Sequence, residues 1–583
     1  MHLFTVRGVE GVLLSAVLVV ALVAPAGAVS VSAADDDVPG TALAMMPGTF
    51  SQMLNAVSDS DDVYYVDLQA GEVLDVSITG PQSAYFDADL FGPETTSITS
   101  PLATFLDTTD ATGDGPPFDP YPYELQYRSP VAQRVYLDVY AIDGSGAYML
   151  AWRVITETAN DDIPGEPLGT VPRTGWLGDF SDKADVYSLT LAEGDVLDVR
   201  TATTSGLLRT WTSLYRGDAT SVTLDFQVAY SAAGSASSSL SYVVPPGGAG
   251  TYYIEVRATL YSGDYRLTAT QASGQGVVRL SGQNRFETAL AVTRSTAVTV
   301  PVAVVATARS FPDALSAAAL AGAYDGSLVL IDRDSVPFAA MCALAAQRPQ
   351  RILIVGGTSA VSATAASTLA GFAASVQRIS DTDRYRTSTA VAARVAEQTG
   401  APETAFLVRG DTFPDALSVA PFAYALAAPV LLTPRSSLDA GARTFIATQR
   451  VSRVVIAGGT GAVSAAVALS VARLAGVAEV KRISGSDRYA TAAQVAAYGV
   501  ARGWASMDWV GVATGTDFPD ALAGGVGCGR MGGVLLLTPP KALSAAAART
   551  LAALGPAGRI AVLGGTNAVS GGVFTQLGGY TTP

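Results

Sequence analysis

Three times in the second half of the chain, a pair of arginines six residues apart is followed by an aspartate and then by a glycine pair. The arginines are Arg279 and Arg285, Arg378 and Arg384, and Arg482 and Arg488. Asp313, Asp415 and Asp520 lie in Phe-Pro-Asp-Ala-Leu motifs that begin at Phe311, Phe413 and Phe518. Gly-Gly-Thr begins at Gly356, Gly458 and Gly564. A guanidinium carries five donors in a fixed fork and captures phosphate or carboxylate bidentately. We therefore take the six arginines as candidate ligand contacts, together with Thr433 and Thr538, whose hydroxyls end apolar runs. Other readings are an ion pair to the aspartates or an inter-repeat contact for the arginines, and helix capping for the threonines. The aspartates and glycines form the supporting motif, and the phenylalanines read as core staples. Gly-Gly-Thr could offer backbone N–H groups to an anion at a helix start. It lacks the lysine of a phosphate-binding loop, which favours a tight strand-to-helix turn.

The elements that carry these residues follow from the pattern. In the second repeat Ala405-Phe406-Leu407-Val408, Pro429-Val430-Leu431-Leu432 and Val454-Val455-Ile456 are short apolar strands separated by Ala-rich helical stretches. Ser310, Thr412 and Asp517 precede the Phe-Pro-Asp motifs as expected N-caps, with proline in the first turn and aspartate at the positive helix end. Ser464 is the expected cap of the last helix. Alternating strands and helices over about 100 residues predict three-layer parallel α/β units, whose ligands sit beyond the carboxyl ends of the strands. The arginine openings recur at spacings of 99 and 104 residues, Phe-Pro-Asp at 102 and 105, and Gly-Gly-Thr at 102 and 106. The three repeats are placed at 275–374, 375–476 and 477–583.

Residues 35–272 read differently. They hold 17 of the 23 tyrosines, in alternating strands such as Val63-Tyr64-Tyr65-Val66. Tyr and Val at period two indicate half-buried antiparallel strands. Gly71-Glu72-Val73-Leu74-Asp75-Val76 recurs 123 residues later as Gly194-Asp195-Val196-Leu197-Asp198-Val199, and Gly146-Ala147-Tyr148 recurs 117 later as Gly263-Asp264-Tyr265. Two tandem antiparallel β-sandwich domains, 35–158 and 159–272, are expected. Asp36, Asp37, Asp161 and Asp162 form either a calcium site or a solvated acidic linker. No other cofactor is expected. Cys342 and Cys528, the only cysteines, form either an inter-repeat disulfide or two buried thiols.

Residues 11–24 are apolar and are followed by Ala26-Gly27-Ala28, as in a secretory signal peptide spanning 1–28, with a second cleavage point near Ala34. No later run is apolar over the roughly 18 residues that a spanning helix needs, so no membrane segment is expected beyond the signal. His2 is the only histidine, which excludes a Ser-His-Asp triad and His-built zinc sites from the mature protein. The formal charge of −15 argues against nucleic acid, but it conceals two opposite halves. Residues 1–274 carry 11 basic and 34 acidic side chains, and residues 275–583 carry 25 and 17.

Arg-(Ile/Leu)-Ser-x-x-x-Arg, Phe-Pro-Asp-Ala-Leu, Leu-Leu-Thr and Gly-Gly-Thr-x-Ala-Val-Ser resemble the tandem cell-wall-binding repeats of Gram-positive surface and S-layer proteins. That resemblance implies Rossmann-like units in a pseudo-threefold arrangement, and non-covalent attachment to an anionic cell-wall glycopolymer. Departures fall mainly on the first repeat, which has Asn284 where the others have Asp383 and Asp487. Asp381 of the second repeat replaces Gly282 and Gly485 of the others. The β half is similar to pre-peptidase C-terminal domains. The sequence-level expectation is thus an exported surface protein that binds rather than catalyses, with its acidic β domains outward. The competing readings are a secreted α/β enzyme acting on a sugar phosphate or nucleotide through Asp313, Asp415 and Asp520, and an adhesin working through the β domains.

Overall fold

The computed structural model describes residues 43–582, apart from 45–47, 56–60, 81–84, 95–104, 109–122, 157–162, 179–182, 205–207, 223–226, 232–235, 261, 273–275 and 413. The expected signal peptide, Asp36, Asp37, Asp161, Asp162 and Phe413 lie outside the described residues. The chain forms two compact units that divide between Thr156 and Glu157.

In the first unit one sheet runs Leu43–Ala44, Asp61–Leu68, Gln133–Asp143, Tyr85–Phe91, Phe105–Thr108. A second runs Gly48–Asn55, Ser145–Thr156, Glu72–Thr79, Tyr123–Arg128. Period-two burial in Glu72–Thr79 turns Leu74, Val76 and Ile78 inward, where they meet Phe86, Leu90 and Leu137 of the other sheet in one cluster. The second unit opens with the same strand order. Glu166–Pro167, Ala184–Leu191, Gly250–Leu260, Arg209–Arg216 and Gln227–Tyr230 form one sheet, and Arg173–Leu177, Gly263–Ala272, Val196–Thr203 and Ser237–Val243 form the other. The internal repeat extends to a buried polar device. Tyr64 Oη lies 2.6 Å from Tyr148 Oη, which donates to Asp62 at 2.7 Å. Tyr187, Tyr265 and Asp185 reproduce this at 2.5 and 2.5 Å. Such hydroxyls are buried only because each finds a partner.

Three parallel four-stranded sheets follow, and each draws its last strand from the repeat that comes next. Ser327–Ile331, Val302–Thr307 and Arg351–Val355 are completed by Ser375–Ile379, which opens the second repeat. Val430–Thr433, Thr404–Arg409 and Arg453–Ala457 are completed by Glu479–Ile483 of the third. Val534–Thr538, Trp509–Thr514 and Arg559–Leu563 are completed by Gly276–Leu280, which opens the first repeat. The register Gly276↔Arg559 to Leu280↔Leu563 closes the three repeats into a ring.

At the centre of the ring the helices Phe311–Ala323, Ala420–Ala425 and Pro519–Arg530 pack on one another. Small residues permit the approach. A Cβ on Gly525 would stand 2.6 Å from Ala420 Cβ, and one on Gly529 would stand 2.5 Å from Pro421 O. The capping expectation needs correction here. Ser310 is an N-cap without a side-chain bond, and Phe518, not Asp517, occupies the cap of the third helix, Asp517 Oδ1 accepting from Phe518 N. Proline at the start removes an N–H that had no helical partner, so a side-chain cap has one donor fewer to serve. Ser464 caps the helix Ala465–Ala472, accepting from Val467 N at 3.3 Å. Both cysteines are free and buried, so the disulfide alternative is not realised.

Candidate functional site at the repeat seams

The shared strands place the arginine pairs at the junctions between repeats. Arg378 Nη1 donates to Gly356 O at 2.7 Å, Arg482 Nη1 to Gly458 O at 2.7 Å, and Arg279 Nη1 to Gly564 O at 2.6 Å. The strand ends return the bond: Gly356 N donates to Ile379 O, Gly458 N to Ile483 O, and Gly564 N to Leu280 O, at 2.9, 2.8 and 2.9 Å. The first arginine of each repeat therefore clamps the Gly-Gly turn of the repeat before it. Since the first glycine N–H is spent on that strand, it is not offered to an anion.

Glycine is required at the turn. Its φ is +115°, +106° and +100° in Gly356, Gly458 and Gly564, a region that residues with a Cβ rarely enter. A Cβ would also meet Oδ2 of Asp313, Asp415 or Asp520 at 2.6, 2.5 or 2.3 Å. The aspartate thus packs directly over the turn of its own repeat.

The second arginine begins the first helix of its repeat. Arg384 Nη1 donates to Gly410 O at 3.0 Å, Arg488 Nη1 to Gly515 O at 2.6 Å and Arg285 Nη1 to Ala308 O at 3.0 Å. Across the seam, its charge acts on the aspartate of the preceding repeat: Arg384 on Asp313, Arg488 on Asp415, Arg285 on Asp520. Burial raises all three carboxyl groups and the arginine opposes it. Asp520 is pushed up to about 6, first by burial and then by the neighbouring Asp517 charge. Asp517 also lies 3.9 Å from Arg285. Burial lowers the pKa of Arg279, Arg378 and Arg482.

The structure therefore gathers each Gly-Gly turn, its aspartate and two arginines of the following repeat into one seam, three times over. The sequence reading missed Thr288, Thr387 and Thr491, each nine residues after the first arginine of its repeat. Their Oγ1 atoms accept from Gly282 N, Asp381 N and Gly485 N at 3.3, 3.1 and 3.1 Å. Thr491 bonds Asp415 and Thr288 bonds Asp520 across the seams. That constant spacing was the available signal.

Thr433 and Thr538 are corrected. Both are fully buried. Thr433 Oγ1 donates to Ser437 O at 2.9 Å and accepts from Asp439 N at 3.0 Å; Thr538 Oγ1 does the same with Ala542 O and Ser544 N. They hold the turn into the next helix and have no hydroxyl to offer a ligand. Phe311 and Phe518 pack edge to face, centroids 5.8 Å apart, as staples would. The Asn284 departure is conservative, since Asn284, Asp383 and Asp487 all cap a first helix with a side-chain oxygen.

Residues 279–366, 378–468 and 482–574 match the family described as cell wall binding domain 2 (CWB2). The three repeats belong to this family. CWB2 repeats bind the cell wall without a covalent link, so the protein is a secreted cell-surface protein of the Gram-positive type. The chain is 31% identical over 325 residues to N-acetylmuramoyl-L-alanine amidase LytC of Bacillus subtilis, covering 56% of this chain and 62% of that one. It is 28% identical over 263 residues to the Amidase enhancer of the same organism, covering 45% and 34%. The chain thus spans less than two thirds of the curated relatives it matches. Cwp6 from Clostridium difficile shares the fold with a TM-score of 0.50 at 17% identity, over 68% of each chain. The relatives overturn one expectation. The expectation of a protein that binds rather than catalyses is contradicted by its matches, which are named an amidase and an amidase enhancer.

Proposed function

We propose that the three CWB2 seams hold the chain on an anionic cell-wall glycopolymer, each contributing one weak site. The observation that supports this is the repetition of one arginine pair at three equivalent seams of a ring whose half of the chain is net positive. Linked weak sites bind a repeating polymer far more tightly than one site does. The finer architecture belongs to the same reading: two acidic β sandwiches precede three Rossmann-like units in pseudo-threefold order. An acidic polymer is repelled by the β half and drawn to the repeats. The test is co-sedimentation of the full chain with purified walls, before and after extraction of the anionic polymers. Binding should fall as salt rises and when Arg285, Arg384 and Arg488 are all replaced by alanine. Undiminished binding to extracted walls would sink the proposal.

The amidase relatives favour a second, compatible reading, in which wall attachment serves amide hydrolysis in peptidoglycan. Asp520, at about 6, can carry a proton near neutral pH, as general acid–base chemistry requires. Release of new amino groups from purified wall by the full chain, lost in Asp520→Asn, is the expected result. No release, and no stimulation of an added amidase, would exclude this role.

A further inference from the structure

The three seams share one chemistry, but only two of them join repeats that the chain links directly. The first repeat runs on into Ser375–Ile379 and the second into Glu479–Ile483, whereas Gly276–Leu280 meets the third repeat only after the whole ring has been traversed. Closing so long a loop has an entropic cost that the other two junctions do not carry.

The centre of the ring departs from threefold symmetry where it offsets this cost. Eleven residues after Pro312, Pro414 and Pro519 stand Ala323, Ala425 and Arg530. Arg530 Nε donates to Thr296 O at 3.1 Å, and Nη1 lies 2.9 Å from Asp325 Oδ1 and 3.0 Å from Asp325 O, all in the first repeat. Nη1 is also 2.8 Å from Tyr424 Oη of the second repeat. One side chain of the third repeat therefore grips both of the others, through charge-assisted bonds that are stronger than neutral ones. Its partners are just as asymmetric. Asp325 stands where the other repeats have Ala427 and Gly532, and Tyr424 where they have Gly322 and Gly529. The third helix is also trimmed on the side that meets the first repeat. Gly527 takes the place of Leu320 and Phe422, and a Cβ there would stand 2.7 Å from Val292 Cγ1.

A second arginine serves the same junction. Arg559, in the strand that receives Gly276–Leu280, donates through Nη2 to Gly194 O of the second β region. Solvent reaches Arg530 through a cleft of about 440 Å³ that it lines with Thr299 and Met531, opposite Pro246 and Gly247 of the β region.

We propose that the three repeats form a split ring with one junction that opens, and that Arg530 is its latch. When the latch releases, Gly276–Leu280 leaves Arg559–Leu563, and the seam of Arg279, Arg285 and Asp520 comes apart while the other two stay whole. The latch thus sets whether the chain holds two complete seams or three.

The experiment is hydrogen exchange of the full chain, read by mass spectrometry at the three shared strands. Arg530→Met, which keeps the bulk of the side chain, should speed exchange in Gly276–Leu280 about tenfold or more and leave Ser375–Ile379 and Glu479–Ile483 near the parent rate. Asp325→Asn, at an exposed position, should give the same pattern more weakly. Gly458→Ala should reverse the order, loosening Glu479–Ile483 more than Gly276–Leu280. Global destabilisation speeds all three strands together, so the pattern separates a latch from a residue that only supports the fold. Equal loosening of the three strands, the same order in Arg530→Met and Gly458→Ala, or a closing strand unchanged in Asp325→Asn and in Arg530→Met where it folds, would overturn the inference. None of these readouts depends on what the seams bind.

Discussion

Gly458→Ala is the sharpest test of the seam geometry. At φ +106° the new side chain is strained in itself, which costs about 1–3 kcal/mol. Its Cβ would stand 2.5 Å from Asp415 Oδ2, so the carboxyl group must leave the turn and its bond to Thr491. Losing that bond adds about 0.5–1.5 kcal/mol. The sum is about 1.5–4.5 kcal/mol. Gly461, three residues on, is the control, because nothing lies within 4 Å of a Cβ there. Urea unfolding of both variants can be followed by tryptophan fluorescence. Trp504 of the third repeat reports across the seam, with Phe406 and Phe422 of the second at 6.2 and 6.0 Å. Gly458→Ala should unfold at clearly lower urea and bind walls less at matched folded fraction. If the two variants fall within about 0.5 kcal/mol of each other, the close packing of aspartate over turn does not constrain the seam.

Three further outcomes follow from the charges. Because the Asp520 carboxyl is raised to about 6, it favours the folded state most at pH below its unfolded value of about 3.9, and this contribution is lost as pH rises through 6. Asp520→Asn should flatten the stability profile across that window, and anion binding by the parent should strengthen as pH falls below 6. Asp138 is 5% exposed with Oδ1 unpaired, and burial, then Asp61, Asp89 and Asp62, push it up to about 8. Asp138→Asn should therefore stabilise the first unit by about 1–3 kcal/mol at pH 7, the difference closing toward pH 4; a thermal scan at both pH values checks it. Finally, replacing one second arginine at a time should cut wall affinity by similar factors at each seam, since Asn284 caps as Asp383 and Asp487 do. A much smaller loss for Arg285→Ala in the same co-sedimentation assay would show that the first repeat contributes unequally.

The period of the repeats, their strands and the β repeat were legible because burial imposes periods that survive in the residues. Tyr64 and Tyr187, 123 positions apart, even carry the same hydroxyl network. What could not be read was the phase of the ring. A motif that opens a repeat in sequence closes the preceding sheet in space, and periodicity alone does not say where one unit ends. Which repeat supplies the arginine that faces Asp313 was therefore open in the sequence, and the structure gives Arg384 of the next repeat. Thr433 was misjudged for a related reason. A hydroxyl at a strand end serves a ligand or a turn equally well until the backbone of Ser437 and Asp439 is seen to claim it.

The strand Gly276–Leu280 carries a consequence for biosynthesis. It is the first piece of the ring to be made, yet its partner Arg559–Leu563 is the last strand to emerge. Some 283 residues separate Leu280 from Leu563, and contacts so distant in sequence form slowly. Until then a nascent or freshly exported chain carries an orphan strand at one end and an open sheet edge at the other. Each is a template for the wrong neighbour. A second molecule waiting in the same state could donate its own Gly276–Leu280, linking rings into exchanged pairs, so low concentration during refolding should favour the closed monomer.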